Sequence, residues 1–245
     1  THMKASDVAK ILSDQSQAGG FVEVRAGERV SDVITAAEQA SGKDVSEFQS
    51  VIDGGGDGIL PSEAGGKFEG WFEPGTYDAQ NKSAEDIIKA MVEARIAKLD
   101  KLGVPTGSDR ERILIIASIA ESEVGSEQYY GKVARVILNR IDAGMPLGMD
   151  TTVAYGLGIS ASQLTDDQLN DSSNPYNTRI NKGLPPTPIS NPGDGALTAA
   201  MGPPAGKWLY FVTTNLKTGE TKFVETEDEF WKIRDEYKNN NENAN

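Results

Sequence analysis

The pattern of apolar and polar positions divides the chain into a short alternating stretch, several amphipathic helices and one run that is apolar almost all round. Phe21 to Arg25 alternates as a strand does, Ala26-Gly27-Glu28 turns the chain, and Val33, Ile34, Ala37 and Ala40 recur at helical spacing after Ser31. Val45 to Ile52 reads as a second short helix. Asp53-Gly54-Gly55-Gly56-Asp57-Gly58, with Pro61 and Gly65-Gly66, reads as a flexible linker. Beyond it, Ser83 with Asp86 caps a helix to about Lys101, Thr165 starts a short helix, and Gly193 to Met201 supplies another. Trp208 to Thr213 and Thr221 to Val224 flank Gly219 as a β-hairpin, and Thr226 with Glu229 caps a last helix. The expected class is α+β. A small lobe and its Gly-rich linker fill residues 4–66, a larger, mainly helical domain with the hairpin and mixed strands fills 67–238, and 239–245 reads as a disordered tail.

The apolar run is the stretch from Asp109 to Ile141, which plants Glu121 and Glu123 on an otherwise greasy helix. Ser108 with Glu111 reads as its capping box, and Ser118 and Ser122 form a small polar stripe. On a wheel Ile113, Ile116, Ala117, Ala120 and Val124 share one face, with Glu121 and Glu123 on opposite flanks. Gly125 breaks the helix, and Ser126 caps a second one to Ala143 with Gly144 as terminator, making an αα-hairpin. A carboxylate buried without a partner raises its pKa and keeps its proton, the state a general acid needs near neutral pH. The bland alternative makes both glutamates ion-pair partners of Arg135 or Arg140. Geometry alone does not choose between the two glutamates.

Composition narrows the chemistry. The only histidine, His2, lies in Thr1-His2-Met3, which reads as a cloning scar over residues 1–3, and cysteine is absent from the 245 residues. Histidine triads, thiol nucleophiles and His/Cys zinc sites therefore have no residues to use, no phosphate-binding loop or nucleophile elbow appears, and neither a cofactor nor a metal is expected. The formal net charge of −13, without basic patches, argues against a nucleic-acid partner. No segment approaches the ~20 apolar residues a membrane span needs. Because a scar precedes Lys4, an N-terminal membrane anchor removed from the natural protein is the expected link to a membrane.

The residues also carry a resemblance. Glu69-Gly70-Trp71-Phe72-Glu73-Pro74-Gly75-Thr76-Tyr77, then Ala117-Ser118-Ile119-Ala120-Glu121-Ser122-Glu123, then Val136-Ile137-Leu138-Asn139-Arg140, in this order, resemble the MltG/YceG-like endolytic murein transglycosylases. Leu147 to Gly156 is similar to the family's L-x-[ST]-D-P-T-V-x-Y-G, and Pro175-Tyr176-Asn177-Thr178, Gly183-Leu184-Pro185-Pro186 and Pro188 to Gly193 match its Y-N-T…G-L-P-P-x-x-I-x-x-P-G. Thr151 departs from the usual proline, and Arg179 stands where an aromatic commonly follows Y-N-T. Separately, VRAGERVSDVITAAEQA with the helix after it resembles the strand-turn-helix-helix of LysM-like modules, which bind glycans containing N-acetylglucosamine.

The family resemblance implies a lytic transglycosylase acting outside the cytoplasm on peptidoglycan glycan strands, anchored at the membrane and working beside the cell-wall synthesis machinery. It implies that the first glutamate of the A-S-I-x-E-x-E block, Glu121, is catalytic. Protonated Glu121 donates to the oxygen between N-acetylmuramic acid and N-acetylglucosamine, and its carboxylate then takes the proton of the muramic C6 hydroxyl as a 1,6-anhydro ring closes. A substrate that supplies its own nucleophile leaves little need for the second carboxylate of ordinary glycosidases. Tyr176 and Asn177 are candidates to position acetamido groups, or else to brace a rigid loop. Asp150, Thr152 and Tyr155 are candidates to line the same groove, Asp150 and Glu73 being further carboxylates beside Glu123. Trp71, Phe72 and Tyr77 offer aromatic faces for sugar stacking or for the core. A muramidase that hydrolyses the same bond, and a non-catalytic glycan-binding or scaffold protein, are the alternatives.

Overall fold

The structure is a computed structural model and describes residues 20–240. The Thr1-His2-Met3 segment and residues 241–245 of the tail lie outside the described residues. The chain divides into two compact units, one of residues up to Glu111 together with Ser190–Gly193, the other of Arg112–Ile189 together with Asp194 onward.

In the first unit β1 (Phe21–Val24) pairs antiparallel with β2 (Gly75–Asp78), Val22 opposite Tyr77 and Val24 opposite Gly75. Between them run α1 (Val30–Ser41) and α2 (Val45–Asp53), and α3 (Ala84–Lys101) follows. Val22, Val24, Val33, Ile34, Phe48, Phe68, Phe72, Ile87, Ile88, Met91 and Val92 bury their side chains together. The Gly-rich stretch is folded onto this core rather than free, with Ile59 and Leu60 packed against it. Gly56 has φ +66°, and a Cβ there would come within 2.7 Å of the Phe68 ring, so only glycine fits. This explains why the unit runs past Gly66, where the sequence suggested a boundary: β2 and Phe72 complete the sheet and core that β1 begins.

The second unit carries the rest of α4 (Ser108–Glu123), then α5 (Tyr130–Asp142), α6 (Asp150–Gly156), α7 (Asp166–Leu169), α8 (Asp194–Met201), the hairpin of β3 (Tyr210–Asn215) and β4 (Glu220–Val224), and α9 (Glu227–Asn240). Every residue of α4 from Leu114 to Ala120 is buried, as befits a helix apolar on all sides. β3 and β4 pair with Phe211 opposite Phe223, their rings stacked at 5.6 Å, and α9 packs on β3. α9 takes in Asn239 and Asn240, the first two residues of the stretch expected to be disordered. The mixed architecture is α+β.

Two local expectations change. α4 starts at Ser108, the Gly107 N–H donates to Glu63 at 3.2 Å, and Glu111 accepts from Trp71 Nε1 at 3.0 Å instead of closing a capping box. Asp150 to Gly156, which carries the groove candidates Asp150, Thr152 and Tyr155 and has no element assigned to it from the sequence, is a helix. Among the described residues no helix is long and apolar enough to cross a membrane.

Candidate active site

Burial gives out at the C-terminal turn of α4, where Glu121 and Glu123 are half-buried and Ser122 between them is exposed. Ser118, fully buried one turn earlier, accepts the Ile189 N–H at 3.0 Å and donates to the Ile115 carbonyl, tying the Pro-rich loop to the helix. Ser122 donates to the Ser118 carbonyl at 2.7 Å. The polar stripe is thus spent on backbone groups, and the two glutamates are what the helix offers to chemistry.

Glu123 faces the start of α6. Thr151 gives its Oε1 two donors, the hydroxyl at 2.5 Å and the backbone N–H at 3.4 Å. Burial pushes the Glu123 carboxyl up to about 7; the Thr151 hydroxyl pulls it back and the nearby Asp150 charge adds to the rise. Glu121 acts on Tyr130, the first residue of α5: partial burial, then the charges of Glu121 and Glu127, raise the Tyr130 phenol above its ordinary range. Tyr130 carries no motif in the sequence, and the one signal toward it is the Gly125 break, which makes a hairpin that returns the chain past Glu121.

A buried hydroxyl network holds the start of α6. Met149 N–H donates to Thr178 Oγ1 at 3.1 Å, Gly148 N–H to the Thr178 carbonyl at 2.9 Å, and Thr152 Oγ1 to the Met149 carbonyl at 2.7 Å. Thr152 and Thr178 hydroxyls meet at 2.9 Å. Thr152, a candidate groove residue, is therefore fully buried and braces the turn. Asp150 stays exposed and pairs with Arg179 at 2.7 Å. Arg179 and Thr151 both depart from the family pattern, and each engages a carboxylate of this cluster.

Tyr155 and Tyr176 are both half-buried, with ring centroids 4.9 Å apart at 63°. A Cβ at Gly156 would come within 2.3 Å of Asn174 Oδ1 and 2.8 Å of Tyr176 Cβ, so the glycine allows the two segments to close on each other. Tyr176 also shares a 2.8 Å hydrogen bond with Thr187. Asn177 is fully buried: its amide donates to the carbonyls of Asp171 at 2.8 Å and Leu169 at 3.1 Å and accepts the Arg179 N–H at 3.1 Å. Of the two sequence readings of Asn177, these partners match loop bracing, not sugar contact.

Arg135 donates to the carbonyls of Pro203 and Pro204, Asn139 to those of Gly206 and Trp208, and Arg140 to those of Leu209 and Leu147. Their bonds hold the 203–209 strand lead-in to α5, although Arg140 lies close enough to Glu123 to ease its charge. Glu73 belongs to the first unit, in a buried ion pair with Arg95 at 2.9 Å and within 3.6 Å of Lys98. Its neighbours do similar structural work. Glu69 accepts the Val30 N–H at the start of α1, Phe72 N–H donates to Asn191 Oδ1 at 3.0 Å, and Arg95 donates to the carbonyls of Phe72 and Pro192. Trp71 and Phe72 are fully buried and serve the core, not a sugar. Among the described residues no group of three or more His, Cys, Asp or Glu could hold a metal ion.

The YceG-like family model matches residues 1–236. The chain belongs to the YceG-like family. Of its relatives, the endolytic murein transglycosylase of Bacillus subtilis is 33% identical over 174 residues, covering 69% of this chain and 48% of that protein. The endolytic murein transglycosylase of Streptococcus pneumoniae serotype 2 is 27% identical over 165 residues, covering 63% of this chain and 29% of its own length. The chain thus spans less than half the length of these relatives. A crystal structure of a YceG-like protein from Listeria monocytogenes matches with a TM-score of 0.73 and 28% identity, over 94% of this chain and 81% of that one.

Proposed function

We propose that the protein is an endolytic lytic transglycosylase of peptidoglycan, cutting the β-1,4 bond between N-acetylmuramic acid and N-acetylglucosamine with Glu121 as acid and then base. The observation that carries this reading is the pair of half-buried glutamates ending an otherwise apolar helix, in a family whose relatives bear the name endolytic murein transglycosylase. Glu121 gives its proton to the glycosidic oxygen as the bond to muramic C1 breaks, then takes the C6 hydroxyl proton as that oxygen bonds to C1. The carboxyl ends as it began and no water is consumed. Glu123 suits this shuttle less well, because Thr151 occupies one of its oxygens with two donors. Tyr130 stands beside Glu121 as a neutral phenol, and Tyr155 with Tyr176 offers a half-buried aromatic wall for a sugar ring. Asp150 lies at the exposed margin of the same cluster.

The strand-helix-helix-strand order of the first unit supports reading residues 20–78 as a LysM-like glycan-binding lobe. An extracytoplasmic, membrane-anchored place in the natural protein, beside the cell-wall synthesis machinery, completes the proposal. Digesting purified peptidoglycan and weighing the fragments tests it: 1,6-anhydro ends support the transglycosylase. Products one water heavier indicate a muramidase, and binding without cleavage indicates a scaffold.

A further inference from the structure

Glu123 presents an asymmetric carboxyl. Both donors of Thr151 fall on Oε1, and among the described residues no hydrogen bond engages Oε2. A carboxyl oxygen that accepts an N–H and a hydroxyl together acts as the carbonyl oxygen of the acid, so a proton on the group sits on the other oxygen. The surroundings favour that proton. The group is half-buried, and Asp150 at the start of α6 adds a like charge. Arg140 from α5 opposes both, while its Nε and Nη1 donate to the carbonyls of Leu209 and Leu147. Glu121, two residues earlier on α4, carries the shuttle assigned above.

We propose that Glu123 meets the glycan as a neutral hydrogen-bond donor through its Oε2–H, taking an acetamido carbonyl oxygen, and that Thr151 is the residue positioning it. The identity of that acceptor rests on the function proposed above. An acetamido carbonyl has no proton of its own, so an ionised carboxylate repels it and a neutral one holds it. No proton leaves Glu123 during the reaction, which separates its role from that of Glu121. Thr151 supplies both donors from one residue, and a proline at that position would supply neither.

The test uses the whole chain and the N-acetylglucosamine tetramer as probe, with binding measured by calorimetry from mildly acid to mildly alkaline pH beside peptidoglycan digestion. A neutral hydrogen bond is worth about a twofold to tenfold change in affinity. The wild-type protein should bind about tenfold more weakly above neutral than below. Glu123→Gln, whose amide keeps an acceptor and a donor, should bind within about threefold of the acid wild type and lose the pH dependence. Glu123→Ala should bind about tenfold more weakly at every pH. Thr151→Val removes the hydroxyl that pulls the Glu123 carboxyl down, so its transition should move to higher pH, whereas a merely structural threonine would change melting temperature alone. Gln behaving like Ala, a flat wild-type profile, or no binding at any pH overturns the inference. Intact glycan strands after digestion would overturn the proposed function instead, while the tetramer titration still decides the role of Glu123.

Discussion

Arg179 Nη1 and Asp150 Oδ1 stand 2.7 Å apart, an exposed ion pair linking the segment after Thr178 to the first turn of α6. Exposed pairs of this kind contribute about 0–1 kcal/mol to stability, so the interest of this one is electrostatic. Asp150 raises the Glu123 carboxyl, and Arg179 is the ion-pair partner of that aspartate. Arg179→Ala should leave the melting temperature within a few degrees, on the order of what a surface pair supplies. It should also move the alkaline limb of the activity profile to higher pH, because an unpaired Asp150 holds the Glu123 proton longer. A limb that stays in place shows that the Asp150 field does not reach Glu123.

Glu121→Gln should fold normally and leave glycan strands uncut. The amide neither donates an acidic proton nor takes one back, and general acid–base transfer supplies roughly a hundred- to ten-thousandfold in rate. Glu121 sits half-buried at the end of α4, so the swap disturbs no apolar packing. Circular dichroism and anhydro-sugar release measured on one preparation check both halves. Wild-type turnover in the glutamine variant would remove Glu121 from the mechanism.

Asn177→Ala should behave as a stability mutant. Its side chain is fully buried and holds the Asp171 and Leu169 carbonyls and the Arg179 N–H. Truncation strands those groups, a loss of about 1–3 kcal/mol, and lowers the melting temperature accordingly. Turnover per folded molecule should change little, and a large kcat loss in a protein with unchanged melting temperature would return Asn177 to the sugar-contact role.

The elements legible in the sequence were those with local signals. Ser83 with Asp86, Thr165 with Gln168 and Thr226 with Glu229 each close a hydrogen-bonded box at a helix start, and a box of residues three apart is written in the sequence itself. Glu121 and Glu123 were legible for the same reason, as charges in an apolar run. Residues whose partners lie far along the chain were not. β2 shows its purpose only opposite β1, and Asn191 reads as part of a proline loop until its amide is seen between Phe72 and Glu28. Trp71 and Phe72 suit a sugar platform or a core equally in sequence, and Glu73 reads as a cleft carboxylate, since nothing local reveals the Arg95 guanidinium that receives it. Thr151 reads in sequence as a departure from the usual proline, and its two donors acquire meaning only beside Glu123.

Glu111 makes a last prediction, about stability and pH. Its carboxyl accepts from Trp71 Nε1 at 3.0 Å, and burial pushes it up to about 7 from an ordinary 4.5, with the Trp71 bond opposing the rise and the Glu63 charge adding to it. Arg110, 3.9 Å from Glu63, is the nearby cation. Because the folded carboxyl binds its proton more tightly than the unfolded one, its contribution to stability is fully present below the unfolded value and is lost as pH rises through about 7. Glu111→Gln keeps an acceptor for the indole and removes the titration. The variant's melting temperature should therefore fall less than the wild type's between mildly acid and mildly alkaline pH, with the gap opening toward the alkaline end. Glu123 titrates with the same sign, so adding Glu123→Gln should flatten the curve further. Parallel melting curves for wild type and Glu111→Gln across that range would mean that Glu111 meets water in the folded state and that Trp71 alone accounts for its place in the unit.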